Sequence, residues 1–105
     1  MSDNVSQHYS TSREARNEFI SSTFGNGTLI DSFIVDRGHA KGAEIHEVYD
    51  TGVIEIRNAL TKKLITKIIA RPEQLRKLYG QNNQQPPKWL LNKAYKNNFK
   101  RYNDI

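Results

Sequence analysis

The chain has 105 residues, of which 36% are hydrophobic, and it carries a formal net charge of +5 and no cysteine. This length suits one hydrophobic core and is too short for two, and the lack of cysteine excludes a disulfide scaffold and cysteine-based zinc sites. No stretch approaches the roughly 18 apolar residues of a membrane span, and the N-terminus lacks signal-peptide features, so we expect a cytoplasmic protein with no membrane partner.

Positive charge is concentrated in the later two thirds of the chain. Residues 1–36 carry two basic and five acidic groups, residues 37–79 carry nine and five, and residues 80–105 carry five and one, so the segment charges are −3, +4 and +4. A clustered positive field attracts phosphates over about a Debye length, roughly 8–10 Å. This distribution indicates a polyanionic partner, RNA in the first place; a basic surface that is only solvated is the alternative.

The N-terminal part is predicted to contain one helix. Residues 1–10 are polar and lack periodicity, which indicates a disordered arm. A capping box at residues 11–14 starts a helix over 12–23, whose apolar stripe is narrow. The run Gly25-Asn26-Gly27 ends this helix, because its residues tolerate positive φ.

Four β-rich runs follow, separated by short turns. They cover residues 29–35, 43–49, 53–57 and 63–70. The connections are too short for the crossovers that parallel strands need, so the pattern predicts an antiparallel meander within an α+β domain over 11–79. The run 63–70 is apolar on both faces, which predicts a central position in the sheet.

Two helices are predicted after the sheet. Pro72, whose φ is preset for a first helical turn, starts a short helix over 72–79, and residues 80–87 form a polar linker. In the segment 88–105, Trp89, Tyr95 and Phe99 recur near helical spacing between basic residues, which predicts a basic amphipathic helix. Such a helix can stack on the bases of single-stranded nucleic acid. The alternatives are docking of its aromatic stripe on the sheet, or binding to a partner protein or an acidic membrane.

An acid–base pair is predicted on the second strand. Glu44 and His46 are two residues apart, so both project from one face of the strand. Such a pair can move the protons needed for RNA cleavage without a metal, provided that cations stabilise the phosphorane. Arg57, Lys67 and Arg71 are the candidate cations, and Thr66 could add a hydroxyl donor. The alternative is that Glu44 and His46 only hydrogen-bond to each other on a solvent-facing sheet.

The predicted nucleic-acid contacts extend beyond this pair. They comprise His39, Lys41, Arg57, Lys67, Lys93, Lys96, Lys100 and Arg101. His39 lies between two glycines, which allow close approach to a ligand. Together with Glu44 and His46 it could also bind zinc or manganese, but the spacing matches no metal motif, and we expect no metal or other cofactor.

Several segments between residues 37 and 79 carry a resemblance to a known group. They are Gly38-His39, Gly42-Ala43-Glu44-Ile45-His46, Gly52-Val53-Ile54, Thr61-Lys62-Lys63-Leu64-Ile65-Thr66, Ile69-Ala70-Arg71-Pro72 and Leu78-Tyr79. This region resembles small proteins of Gram-positive phages and mobile elements, whose layout is similar to barnase-like and RelE-like ribonuclease toxins. The resemblance implies a sheet-borne site that uses His46, with Glu44, Thr66 and Arg71 as matching positions, and that acts on RNA without a metal.

Two functions follow as hypotheses. The first is a metal-independent endoribonuclease, or an RNA-binding relative that has lost catalysis, with the Glu44 and His46 pair beside basic phosphate clamps. The second is a phage or mobile-element accessory protein that binds and inhibits a host protein or nucleoprotein and has no catalytic activity. Steep loss of affinity with salt would distinguish binding to nucleic acid from binding to protein.

Overall fold

The computed structural model of the chain describes residues 2–25, 27–38 and 42–97. The elements, in chain order, are α1 (Ser2–Phe24), β1 (Leu29–Asp36), β2 (Ala43–Tyr49), β3 (Val53–Asn58), β4 (Leu64–Ile69), α2 (Pro72–Gln81) and α3 (Lys88–Asn97). The predicted α+β class and the order of helices and strands are confirmed. Among the described residues, no helix has the length and apolar character needed to cross a lipid bilayer.

The four strands form one antiparallel sheet in the order β1-β2-β3-β4, as the short connections predicted. Each predicted strand end agrees with the structure to within one residue. Tight turns join β2 to β3 and β3 to β4: the amide of Gly52 donates to the carbonyl of Tyr49, and the side chain of Asn58 accepts hydrogen bonds from the amides of Leu60 and Thr61. The sequential order therefore follows from local turn chemistry.

The predicted central position of β4 is wrong, because β4 pairs only with β3 and lies at the edge of the sheet. Helix α1 covers this edge: Asn17 Oδ1 accepts a hydrogen bond of 3.0 Å from the backbone amide of Lys67. Ile20, which is 1% exposed, forms a small core cluster with Val53 and Ile69. An edge strand can thus be apolar on both faces when a helix covers it.

Helix α1 begins ten residues before its predicted start. The prediction was a disordered arm over 1–10 and a helix over 12–23, whereas the helix begins at Ser2. No glycine or proline occurs between residues 2 and 24. Serine and threonine weaken a helix interior by at most about 0.7 kcal/mol each relative to alanine, so the capping box does not interrupt the helix.

The main core lies between one face of the sheet and helices α2 and α3. Its buried members are Phe33, Val48, Ile54, Ala70, Leu75, Leu78, Tyr79, Leu90 and Ala94. Tyr79 packs edge-to-face on Phe33 with ring centroids 4.8 Å apart, and its hydroxyl donates to the carboxylate of Asp31. Burial, followed by this hydrogen bond, raises the pKa of Tyr79 above its ordinary value.

Helix α3 packs on the sheet with α2. Leu90 and Ala94 are fully buried in the main core, and Asn97 Nδ2 donates a hydrogen bond of 2.9 Å to the carbonyl of Thr51. The predicted helix over 72–79 continues to Gln81, and the predicted linker shortens to residues 82–87. Residues 98–105 of the predicted C-terminal segment lie outside the described residues.

Candidate functional site

The Glu44 and His46 side chains meet on β2. His46 Nε2 lies 3.1 Å from Glu44 Oε1, and the two side chains are only 12% and 19% exposed. His46 lies opposite the apolar Ile56 of β3, so the pair is on the core side of the sheet. The structure brings the acid–base pair together, but on the face towards α2 and not on an open sheet surface.

Two of the predicted phosphate clamps lie on the opposite face. Because His46 lies opposite Ile56, the alternation of side chains directs Arg57 to the other side of the sheet, and Lys67 lies opposite Glu55 there. Arg57 donates to Glu47 at 2.9 Å and to Glu55 at 2.8 Å, and Lys67 Nζ lies 3.6 Å from Glu55. The predicted grouping of His46 with Arg57 and Lys67 is therefore corrected.

The two cations on this opposite face of the sheet are neutralised by the carboxylates beside them. The hydrogen bond to Glu47 is the main cause that raises the pKa of Arg57 above its ordinary value, against an opposing effect of burial. Lys67 also donates to the hydroxyl of Ser21 on α1 at 2.7 Å. Two cations matched by Glu47 and Glu55 stabilise the sheet face and leave little net positive field for a phosphate.

Thr66 shares a face with His46, whereas Arg71 is the N-cap residue that precedes α2. Thr66 lies opposite Ile56, and its hydroxyl accepts a hydrogen bond of 3.0 Å from Arg16 of α1. The backbone amide of Arg71 donates to Gln74 Oε1 at 2.8 Å. The cation next to Thr66 is therefore Arg16, whose position against the sheet could not be predicted from the weak apolar stripe of α1.

A cavity of about 290 Å³ opens beside His46, between the sheet and α2. Its apolar wall comes from β1, β3, β4 and α2: Val35, Ile54, Ile56, Ile68 and Leu78. Its polar groups are Arg37, His46, Gln74, Lys77 and Gln81. Neither Arg37 nor Lys77 was predicted. Gln74, Lys77 and Gln81 occur at spacings of three and four, which is the signal that places them on one helix face.

A separate group of residues lies on the outward surface of α3. We call this group the outer face of α3, and it consists of Trp89, Asn92, Lys93 and Lys96. These residues border a surface depression of about 330 Å³. Trp89 is 50% exposed although Leu90, the next residue, is fully buried. The helix therefore docks on the sheet, as the alternative prediction had it, but through Leu90 and Ala94 and not through its aromatic stripe, and Trp89 stays half exposed.

Four predicted contact residues, His39, Lys41, Lys100 and Arg101, lie outside the described residues. Within the described ranges, no three side chains of histidine, cysteine, aspartate or glutamate are grouped as metal ligands would be. Comparison with protein-family models, with curated proteins and with solved structures gave no match. The resemblance to ribonuclease toxins therefore stays a prediction.

Proposed function

We propose that the protein binds single-stranded RNA through the outer face of α3. The observation that carries the proposal is a half-exposed indole with two lysines beside it: Trp89, Lys93 and Lys96 fall four and seven residues apart and share one side of the helix. Aromatic side chains stack on unpaired bases, and lysines neutralise the phosphates between them.

The charge of α3 supports a polyanionic ligand. Its ten residues contain three lysines and no aspartate or glutamate. Leu90 and Ala94 already fix the helix on the core, so Trp89 is not needed for docking. An indole that stays half exposed has apolar area to bury on a ligand, and stacking on a base contributes about 1–3 kcal/mol.

We expect Trp89→Ala to weaken binding of a fluorescently labelled, unstructured RNA oligonucleotide about tenfold, as the loss of one stacked base implies. Replacing both Lys93 and Lys96 by alanine should reduce the slope of log affinity against log salt by about 1.4, since each phosphate contact on a single strand contributes about 0.7. Fluorescence anisotropy across a salt series measures both effects. Trp89 is the only tryptophan in the chain, so its intrinsic fluorescence reports stacking directly.

Matched control variants test whether binding depends on the outer face of α3 or only on the overall positive charge of the protein. Replacing both Lys62 and Lys63, which are exposed in the β3–β4 turn, removes the same charge and should change the salt slope by less than half as much. Tyr95→Ala removes an aromatic side chain that is also 50% exposed but lies outside the outer face of α3. Binding that is absent or insensitive to salt would contradict the proposal and favour a host protein or nucleoprotein as the partner.

RNA cleavage is a second candidate function. The observation that favours it is the contact between His46 and Glu44. Of the two, His46 lines the cavity, which Arg37 and Lys77 also line, so two cations other than the predicted ones share that cavity with His46. His46 would accept the proton of the 2′-hydroxyl as that oxygen attacks the phosphorus, and the imidazolium so formed would return the proton to the 5′-oxygen as the P–O5′ bond breaks. Glu44 would orient the imidazole, and the cations would stabilise the phosphorane.

This second candidate predicts cleavage of total RNA in the presence of EDTA. His46→Ala should reduce the rate by about 10²–10⁴, which is the usual contribution of general acid–base catalysis. Gel or capillary electrophoresis of the products measures the rate. Equal cleavage by the wild type and the His46→Ala protein would remove His46 from the reaction and indicate a contaminating nuclease.

A further inference from the structure

We propose that the cavity between the sheet and α2 is a binding site for a nucleoside monophosphate. This site is separate from the outer face of α3 and does not depend on RNA binding there. The cavity volume of about 290 Å³ is near the lower end of small-molecule sites, which span about 300–1,000 Å³. A ligand of mononucleotide size is therefore appropriate.

The charged residues that line the cavity favour an anionic ligand. Arg37 and Lys77 line the cavity from the segment after β1 and from α2, and no carboxylate is among the described lining residues. Neither cation forms an ion pair or a side-chain hydrogen bond with any residue that the structure describes, in contrast to Arg57 and Lys67. A guanidinium can bind two phosphate oxygens at once, and an ammonium adds a point charge.

The apolar and amide residues that line the cavity favour a heterocyclic ring over a hydrocarbon tail. Ile54, Ile56 and Ile68 form an apolar sheet surface on which a flat ring can lie. Gln74 and Gln81 project into the same space from α2, and Gln74 Oε1 already accepts from the amide of Arg71, which leaves its NH₂ group to donate. A hydrocarbon that covered these amides would displace their water without offering hydrogen-bond partners, whereas the edge of a nucleobase offers partners for them.

Titration of the whole chain with AMP, adenosine and inorganic phosphate tests the proposal. AMP should bind at least about tenfold more tightly than adenosine or phosphate alone, because AMP contacts the cations and the apolar surface together. Arg37→Ala and Lys77→Ala should each weaken AMP binding by about five- to tenfold, the effect expected for losing one charge-assisted hydrogen bond at a partly solvated site. Isothermal titration calorimetry measures these affinities.

Arg76→Ala is the matched control, since Arg76 precedes Lys77 on α2, has the same charge and does not line the cavity. It should change AMP affinity by less than about twofold, as expected for screened charge alone. In NMR spectra, AMP should shift the side-chain amide signals of Gln74 and Gln81. These readouts use free AMP, so they give the same answer whether or not α3 binds RNA.

Three results would overturn the proposal. Phosphate that binds as tightly as AMP would show an anion-attracting surface that does not use the apolar wall. Equal effects of Arg76→Ala and Lys77→Ala would show binding through overall charge. Unshifted Gln74 and Gln81 signals at saturating AMP would place the nucleotide elsewhere on the protein.

Discussion

Leu90→Ala is expected to lower the free energy of unfolding by about 2–5 kcal/mol, because it leaves a cavity in the main core. Leu90 is completely buried and shares that core with Val48 and Ile54 of the sheet. It is also the residue through which the first turns of α3 are anchored. Urea or guanidinium denaturation of both proteins measures the difference, provided that the two m-values agree.

Leu60→Ala is the control for this change. Leu60 lies in the β3–β4 turn and is 92% exposed, so the same truncation there should alter stability by no more than about 0.5 kcal/mol. If Leu90→Ala were as mild as Leu60→Ala, α3 would not be docked as described. The assignment of Trp89 to a fixed outer face would then lose its basis.

Gly52→Ala is the second change with a large expected effect, a loss of about 2–5 kcal/mol of stability. Gly52 has a φ of +89°, a conformation that disfavours side chains by about 1–2 kcal/mol. A Cβ at this position would also lie 2.6 Å from Asn97 Nδ2. Asn97 is 3% exposed and its Nδ2 is hydrogen-bonded to the carbonyl of Thr51, so relieving the overlap means breaking this hydrogen bond or moving the end of α3. Overpacking of this kind costs about 1–3 kcal/mol.

Gly38→Ala separates the two contributions to the Gly52 effect. Gly38 has a φ of +92°, but a Cβ there would meet no heavy atom within 4 Å among the described residues. Its replacement should therefore show the backbone cost alone, about 1–2 kcal/mol. Thermal or chemical unfolding of both variants gives the comparison. Equal losses at the two positions would contradict the contact between the β2–β3 turn and Asn97.

Local patterns were sufficient to predict the sheet. Alternating residues and turn signals define β2 as Ala43–Tyr49 in both the prediction and the structure. The place of β4 could not be obtained in this way, because an apolar strand is compatible both with the centre of a sheet and with an edge that a helix covers. The decisive contact, between Asn17 and Lys67, joins residues 50 positions apart.

The candidate site, too, could be predicted only in part from local sequence patterns. The two-residue spacing of Glu44 and His46 is enough to place them together, but the residues facing them depend on the register between strands. In the structure His46 lies opposite Ile56; a slip of one residue would have placed it opposite Arg57, on the same face. Arg37 and Lys77 reach the cavity from segments far apart in the chain, so no local spacing could predict that pairing.

The sequential order of the strands affects how the chain can fold as it is synthesised. Each strand pairs with the one made just before it, so the hairpins close over short loops and the meander can assemble step by step. The apolar underside of that meander has no cover until Leu75, Leu78 and Leu90 have left the ribosome. A nascent chain that stalls before α2 presents this surface to its surroundings, and it is then open to capture by chaperones or by other unfinished chains.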